Sequence, residues 1–315
     1  MQILQYELQQ FIHAQMAAVL VAFGIPGPVF WPYFAGVTVL AIGLPIIIKH
    51  ELPQVRGLDK IMPFGRLFFT IPMAVFGGEH FASARFLAPA VPSWIPAHLF
   101  WVLLVGVAHI AAALAITVKK HAQLAALLWG IMIFLFVVLI SIPRIAGNPG
   151  DRFAWAVGLR DLAFSGSALA WAGAQTKGRL ADRAPRLVTL GRFFLGVPTV
   201  FFGVEHFLHP EFAPGVPLQK LTPAWVPVGS LWAYIPGVVL FAAGVSIIIN
   251  KKARLAATYL GIMIFLLCLF LYLPIVVAIP SDIGNGLNYF ADTLLFSGAA
   301  LVLADALPNE NHPRA

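Results

Sequence analysis

"GRLFFTIPMAVFGGEHF", residues 65–81, returns at residues 191–207 as "GRFFLGVPTVFFGVEHF", with Gly, Arg, Pro, Gly, Glu, His and Phe kept at a constant offset of 126. The correspondence continues downstream, and self-similarity at a fixed spacing is the signature of a tandem repeat. The chain therefore contains two diverged copies of one unit. The further matches are PSWIP at 92–96 with PAWVP at 223–227, GIMIF at 130–134 and 261–265, and FSG at 164–166 and 296–298.

The composition indicates a membrane protein. Sixty per cent of the 315 residues are hydrophobic and 10% are charged, with a mean hydropathy of +0.88, whereas about a quarter of the residues of an average soluble domain are charged. The net charge of +7 sits in short basic clusters between apolar runs, which is typical of cytoplasmic loops and not of a nucleic-acid-binding surface. The single cysteine, Cys268, excludes disulfide frameworks and Cys-ligated iron–sulfur or zinc sites within this chain.

Each unit divides into four apolar runs, and each run approaches the roughly 20 residues that a membrane-spanning helix needs. An even number of crossings gives both units the same orientation, so a pseudo-twofold axis along the membrane normal is expected. The predicted fold is an all-α polytopic bundle of two parallel four-helix repeats. The runs are 65–83, 99–118, 123–142 and 153–174 in the first unit, and 190–208, 230–249, 254–279 and 284–304 in the second.

One or two further helices are predicted before the repeats. Residues 30–48 are long enough to cross the bilayer, whereas 8–25 carry several polar residues and either span it or lie in the interface. Residues 1–12 lack Lys and Arg, so we expect no cleaved signal peptide. The predicted divisions are an N-terminal membrane extension at 1–60, the first repeat at 61–176, a cytoplasmic linker at 177–189, the second repeat at 190–307 and a tail at 308–315.

Lysine and arginine concentrate in alternate loops, which predicts the orientation of the chain. Those loops are expected to face the cytoplasm, together with the C-terminus. The basic residues involved are Lys49, Arg56, Lys60, Arg66, Lys119, Lys120, Lys177, Arg179, Arg183, Arg186, Arg192, Lys251, Lys252 and Arg254.

Ionisable residues also recur at one depth in the outer half of the predicted helices. Glu79 follows Arg66 by 13 residues, which is about 20 Å at 1.5 Å per residue. An unpaired charge at that depth costs several kcal/mol, so we expect partners there, with Arg160 pairing either with Glu79 or with Asp161. The candidate ligand-binding residues are Glu79, His80, Arg160, Asp161, Glu205, His206 and Asp292.

Two interpretations of this polar layer stay open. Each Glu-His pair either sits at a hydrated helix end and holds the bundle together, or contributes to a site for a polar head group, a quinone, a proton or a metal. Adjacent helical residues point about 100° apart, so the Glu and His of one unit are not expected to hold one metal together, and no metal ligand or catalytic residue is assigned. His109 has Leu240 as its counterpart and is predicted to be a hydrogen-bonded packing residue.

The order of these features resembles the four-helix unit of the DoxX-like family. The resemblance covers 65–175 and 191–305 and rests on the Arg, the "Gly-x-Glu-His-Phe" helix end, the "Pro-x-Trp-x-Pro" loop, two long apolar helices and the Asp-led helix with "Phe-Ser-Gly". It implies a tandem DoxX-like protein of the bacterial inner membrane. Members are similar to the membrane subunit of a thiosulfate:quinone oxidoreductase and to membrane partners of other redox systems. The family's polar position maps onto Glu79 with His80 and onto Glu205 with His206.

Two classes of function follow. In the first, the chain is a membrane subunit of a quinone-linked redox complex, in which His exchanges hydrogen bonds with the quinone head and a carboxylate exchanges protons. Because the chain has no cofactor-binding domain, electrons would come from a partner subunit, and any enzymatic activity would belong to the complex. In the second, the chain is a structural or assembly scaffold, or a carrier of lipids or small solutes. The inner half of the spans is nearly free of ionisable residues, which argues against an ion-coupled pump.

Overall fold

Nine long helices form the fold in the computed structural model, which describes residues 29–175, 184–216 and 218–308. The predicted helix at 8–25 lies outside the described residues. The nine helices are α1 Phe30–Ile46, α2 Met62–Ala82, α3 His98–Thr117, α4 Ala122–Phe136, α5 Arg152–Ala174, α6 Ala184–Leu208, α7 Gly229–Ile248, α8 Ala253–Leu267 and α9 Asn288–Ala306.

Shorter helical segments extend or connect these helices. No β-strand occurs within the described ranges, so the predicted all-α bundle is confirmed. α4 continues through a π turn, Val137–Ser141, into Ile142–Gly147, and α8 continues in the same way through Cys268–Tyr272 into Leu273–Ala278. The remaining segments are Ile47–Glu51, Leu52–Gln54, Gly57–Ile61, Ala84–Leu87, Ala88–Ala90 and Ile283–Leu287.

Eight segments of the described chain are long and apolar enough to cross a membrane. They comprise α1 to α4 and α6 to α9 with their continuations, and the chain is accordingly an integral membrane protein. α5 is not among these eight segments, and it is less apolar than they are because Arg160 and Asp161 lie near its middle. It packs against α4, α6 and α9, so its polar residues face other helices.

The repeat is visible in the backbone where the sequences differ. Positive φ angles occur at Ala97, Lys119 and His121, and again 131 residues later at Val228, Asn250 and Lys252. Residues other than glycine seldom adopt this conformation, so three recurrences at one spacing show that the two units share the turn before their second helix and the turn between their second and third helices. Side-chain hydrogen bonds repeat too: Ser165 Oγ donates to the Gly130 carbonyl and Ser297 Oγ to the Gly261 carbonyl, both at 2.7 Å.

The two units interlock. The first helix of each packs against the fourth helix of the other, α2 on α9 and α6 on α5, and α5 also packs against α9. Glycine permits this close approach: a Cβ at Gly298 would lie 2.6 Å from the Phe68 carbonyl carbon and 2.7 Å from the Phe69 Cα. The equivalent Gly166 is closed in by Phe194, the counterpart of Phe68. The predicted domain boundaries stay predictions.

The bundle has two ends, which we name the basic end and the loop end. The basic end is where α3 finishes at Thr117 and α4 begins at Ala122. The loop end is where α2 finishes at Ala82 and α6 finishes at Leu208.

Candidate functional site

A charge network joins the two fourth helices. Arg160 on α5 donates from Nη1 to Asp292 Oδ2 at 2.8 Å, and from Nε and Nη2 to Asp161 Oδ1 at 2.9 and 2.8 Å. The predicted Arg160–Asp161 pair is therefore present. The contact with Asp292 lies outside the two partners predicted for Arg160. The FSG register places Asp292 opposite Arg160 at an offset of 132. The network thus links equivalent positions of the two units.

The network leaves one carboxylate oxygen without a partner. Asp292 is buried, with 4% of its surface exposed, and its Oδ1 accepts no hydrogen bond from the described residues. Buried polar atoms normally have partners, and an exception calls for an explanation such as a bound water, ion or proton.

Glu79 approaches this network from α2. The amide nitrogen of Asn288 on α9 donates to both oxygens of the Glu79 carboxylate, at 2.8 Å to Oε2; the reversed amide would place its carbonyl oxygen against the carboxylate. Asn288 precedes Asp292 by one helical turn, so Glu79 approaches the same face of α9 as Arg160 does. Four of the predicted site residues therefore share one region, which contains three carboxylates and one guanidinium.

Glu205, the counterpart of Glu79, has a different neighbour. Arg152 at the start of α5 donates from Nε to Glu205 Oε2 and from Nη2 to the Leu218 carbonyl at 2.7 Å. The guanidinium carbon also lies 4.5 Å from the centroid of the Phe212 ring. In the FSG register Arg152 of the first unit corresponds to Gly284 of the second unit, so Glu79 has no equivalent arginine at that position. Arg152 balances the charge of the buried Glu205, and the two side chains form a structural ion pair.

His206 is held at both ring nitrogens. Its Nδ1 lies 2.6 Å from the Phe202 carbonyl oxygen, and the Gly215 N–H donates to its Nε2 at 3.2 Å. A carbonyl oxygen only accepts, so Nδ1 carries the hydrogen and Nε2 offers its lone pair to Gly215. The ring is fully buried. His206 therefore anchors the segment that contains Gly215.

His80 has the same tautomer as His206, but only one of its two ring nitrogens has a hydrogen-bond partner among the described residues. Its Nδ1 donates to the Phe76 carbonyl at 2.7 Å, whereas its Nε2 has no hydrogen-bond partner among the described residues, and the side chain is half-buried. Its ring centroid lies 5.4 Å from that of His109. His109 in turn accepts from Trp129 Nε1 at 3.0 Å, which confirms the predicted hydrogen-bonded packing role. His80 thus retains a free acceptor that His206 has lost.

A covering loop accounts for this difference. We use the name for residues 209–216 and 218–222, which follow α6 and fold into the bundle. Tyr272 Oη donates to the Pro214 carbonyl at 3.1 Å, and Thr293 Oγ1 donates to the Val216 carbonyl at 3.4 Å. The first unit has a shorter connection at 83–97, in which Phe86 is 83% exposed and Trp94 is 71% exposed. The covering loop closes the loop end of the second unit, whereas within the described ranges the shorter connection of the first unit leaves Phe86 and Trp94 exposed.

Sequence reasoning missed the covering loop, Arg152 and Asn288. The signal for the loop was present, since the offset between repeats rises from 126 at "EHF" to 131 at "P-x-W-x-P", which places five extra residues between them. The sequence does not indicate whether those residues fold into the bundle or away from it. The partners of Glu79 and Glu205 come from helices distant in sequence, so helical spacing alone could not identify them.

At the surface of the loop end, Asp151 begins α5. Its Oδ1 accepts from the Ala154 N–H at 3.1 Å and its Oδ2 from Arg144 Nε at 3.1 Å. The Ala154 N–H, followed by the Arg144 guanidinium, holds the pKa of the Asp151 carboxyl below its usual range.

The candidate residues do not all converge on one point. Glu79, Arg160, Asp161 and Asp292 meet at the centre, Glu205 lies with Arg152, and the two histidines face their own α2 and α6 carbonyls. Within the described ranges, no group of three His, Cys, Asp or Glu side chains is arranged to hold a metal ion. The arrangement therefore combines structural ion pairs with one half-buried, acceptor-bearing histidine.

Comparison of the chain with protein-family models, curated proteins and solved structures found no match. The resemblance to the DoxX-like unit therefore stays a prediction.

Proposed function

We propose that this protein is a DoxX-like membrane subunit of a quinone-linked redox complex, and that its first unit binds the hydroxyl-bearing head of a quinol at His80. The observation that carries the proposal is the contrast between two equivalent histidines. His206 has both ring nitrogens engaged under the covering loop, whereas His80 Nε2 has no hydrogen-bond partner among the residues that the structure describes.

The tautomer of His80 selects the kind of head group. Because the Phe76 carbonyl fixes the hydrogen on Nδ1, Nε2 presents a lone pair. A quinol hydroxyl donates to that lone pair, while a quinone carbonyl, which is itself an acceptor, gains no hydrogen bond from it. His80 thus favours the reduced ligand and is placed to take its hydroxyl proton.

The surroundings of His80 suit a lipophilic ring. Phe81 follows it, with its ring centroid 6.4 Å from that of Trp31 on α1, and Trp31 is itself exposed towards the membrane. A Cβ at Gly106 would lie 2.9 Å from the His80 Cβ, so α3 passes close beside the histidine without a side chain of its own there. The aromatic rings give a flat ligand contact area, and the close approach of α3 fixes the position of the histidine.

This chain would contribute binding and proton acceptance, with electrons passing to a partner subunit. The half-buried Glu79, adjacent in sequence and linked to Asn288, is the carboxylate placed to pass on a proton at the loop end. We propose no electron transfer within the chain.

A scaffold function is the alternative, and a specific observation favours it. The Arg160–Asp292 and Arg152–Glu205 pairs join the units and account for much of the buried charge as structural pairing. On that reading the polar layer assembles the bundle and binds no ligand.

Solvent extraction of protein purified gently from native membranes separates the two functions. The proposal predicts quinone or quinol in about stoichiometric amount, lost in His80→Ala while the protein stays folded, because that variant removes one ligand hydrogen bond worth about 1 kcal/mol and the ring beside it. His206→Ala serves as the matched variant and is expected to lower the melting temperature, since Gly215 loses its acceptor. Ligand-free wild-type protein that copurifies with other subunits would favour the scaffold.

A further inference from the structure

The basic end contains a cavity of about 510 Å³, far from the histidines discussed above. Ionisable side chains from several helices and connections line it: Glu51, Arg66, Lys119, His121 and Asp305. The sequence had suggested that this half of the protein is nearly free of ionisable groups, apart from its loops. We call this the basic-end cavity.

Its charges are arranged in two parts. On one side Arg66 donates from both terminal nitrogens to Glu51, and Lys119 Nζ lies 3.1 Å from Glu51 Oε2. One carboxylate therefore faces two cations, which leaves surplus positive charge at Lys119, whose side chain is 52% exposed. On the other side Asp305 accepts a hydrogen bond from Trp171 Nε1 at 3.3 Å.

An apolar groove of about 320 Å³ adjoins this cavity. His121 lines both of them. The α3 wall is built from small residues at helical spacing, Ala108, Ala111, Ala112 and Ala115, and the α4 wall from Leu124, Ala125, Leu128, Trp129 and Met132.

All the residues that line the groove lie in the first unit. At the equivalent positions of the second unit, 131 residues later, Val239 stands for Ala108 and Tyr259 for Leu128. These two side chains are larger than their counterparts, whereas Leu260 is smaller than the Trp129 that it replaces.

We propose that the basic-end cavity and the groove together bind one phospholipid, with its phosphate at Lys119 and His121 and one acyl chain along the alanine wall of α3. A charged cavity that shares His121 with an apolar groove matches an amphipathic ligand better than a free ion or a hydrocarbon alone. The junction at His121 lies where α3 ends and α4 begins, which is the level of lipid head groups for membrane-spanning helices.

Asp305 adds a preference among head groups. A carboxylate accepts hydrogen bonds from the ammonium of ethanolamine or the hydroxyls of glycerol, whereas the trimethylammonium of choline has no hydrogen to donate. The site therefore takes phosphatidylethanolamine or phosphatidylglycerol in preference to phosphatidylcholine.

Native mass spectrometry of the delipidated full chain in detergent tests this, with each of these three lipids added as its palmitoyl-oleoyl form. Lys119→Asn removes the charge without straining the backbone, since Asn250 already occupies the equivalent positive-φ position, and Lys252→Asn is its control. Ala111→Phe fills the groove, and Ala242→Phe is its control at the equivalent exposed position of the second unit.

We expect one retained lipid, with retention reduced about tenfold, equivalent to about 1.4 kcal/mol, in Lys119→Asn and in Ala111→Phe and unchanged in both controls. Equal retention in all variants, equal loss in the controls, or no retained lipid would overturn the proposal. Glycerophosphoethanolamine, which has the head group without acyl chains, separates the two sources of the phosphate: binding as tight as that of the lipid would mean that the groove contributes nothing, and the proposed lipid site would be wrong.

Discussion

Glu79 and Glu205 are equivalent residues in nearly identical segments, yet one faces an amide and the other a guanidinium. The following histidines differ in the same way, one with a free nitrogen and one with both nitrogens bonded. At the scale of residues, duplication has supplied the same side chains twice, and the neighbours contributed by distant helices have given them different roles.

Among the residues of the charge network, Arg160 is the one whose replacement we expect to destabilise the fold most. Arg160→Met leaves Asp161 and Asp292 buried beside each other without their cation, which typically costs about 3–5 kcal/mol. We expect a large fall in the melting temperature, measured by scanning fluorimetry in detergent. Arg144→Met removes an exposed partner of Asp151 and should change the melting temperature little. If both variants melt like the wild type, the network does not hold the units together.

The candidate residues were identified from the sequence, but of their partners only the Arg160–Asp161 pair was among the predicted alternatives. Buried charge in an apolar chain is visible by composition, so Arg160, Asp161 and Asp292 could be named in advance. Which of them pair depends on the contact of α5 with α9, and these helices are separated by more than a hundred residues.

Among the elements, the covering loop distinguishes the two units most clearly. It approaches the bundle where Gly215 has a φ of +139°, a conformation that side-chain-bearing residues rarely adopt, and where a Cβ would lie 2.9 Å from Tyr272 Oη. Glycine is therefore required there both by its backbone and by its lack of a side chain.

Gly215→Ala should destabilise the covering loop by about 1–3 kcal/mol, the usual cost of a strained backbone position. Faster tryptic cleavage at Lys220 and a lower melting temperature would report the change. Gly284→Ala, where no other atom lies within 4 Å of the added carbon, provides the control. Unchanged cleavage in Gly215→Ala would show that the loop does not depend on this contact.

The start of α5 carries a pH-dependent contribution. Since the Ala154 N–H and Arg144 lower the pKa of Asp151 in the folded protein, ionised Asp151 stabilises the fold above the unfolded pKa of about 4, and the contribution is lost as the pH falls through the folded pKa. The melting temperatures of wild type and Asp151→Asn should differ at neutral pH and converge below pH of about 4. A difference that persists unchanged in acid would contradict this assignment.

The long helices were predictable as elements, and the connections were not. Each apolar run within the described ranges coincides with a helix, because in a membrane the helix satisfies its own backbone groups over the length of the core. The covering loop has neither periodicity nor sufficient apolar length. Its position is set by hydrogen bonds to Tyr272, Thr293 and His206, which no local pattern reveals.

For the whole molecule, interlocking is the main consequence of the duplication. α2 packs on α9 and α5 on α6, so each unit completes its packing with a helix of the other. The parallel repeat could be predicted from the offsets, but this exchange of partners could not, because repeated sequences predict the same helices in any arrangement of the two units.

Severing the chain between residues 180 and 181 should therefore leave two halves that assemble when produced together. The contacts between units are made by helices and do not require a covalent link. Copurification of the second half with an affinity-tagged first half is the measurement, and adding Arg160→Met should weaken it. Halves that purify separately in a folded state would contradict the interlocked arrangement.

The central claim, that His80 in the first unit accepts a hydrogen bond from a quinol head, is tested most directly by titrating the purified protein with decylubiquinol and decylubiquinone and following the quenching of tryptophan fluorescence. We predict tighter binding of the quinol, and in His80→Ala a weakening of quinol binding by about tenfold at an unchanged melting temperature, as expected for one lost hydrogen bond in a low-dielectric site. Equal binding of the two ligands, or quinol binding that His80→Ala leaves unchanged, would contradict the account.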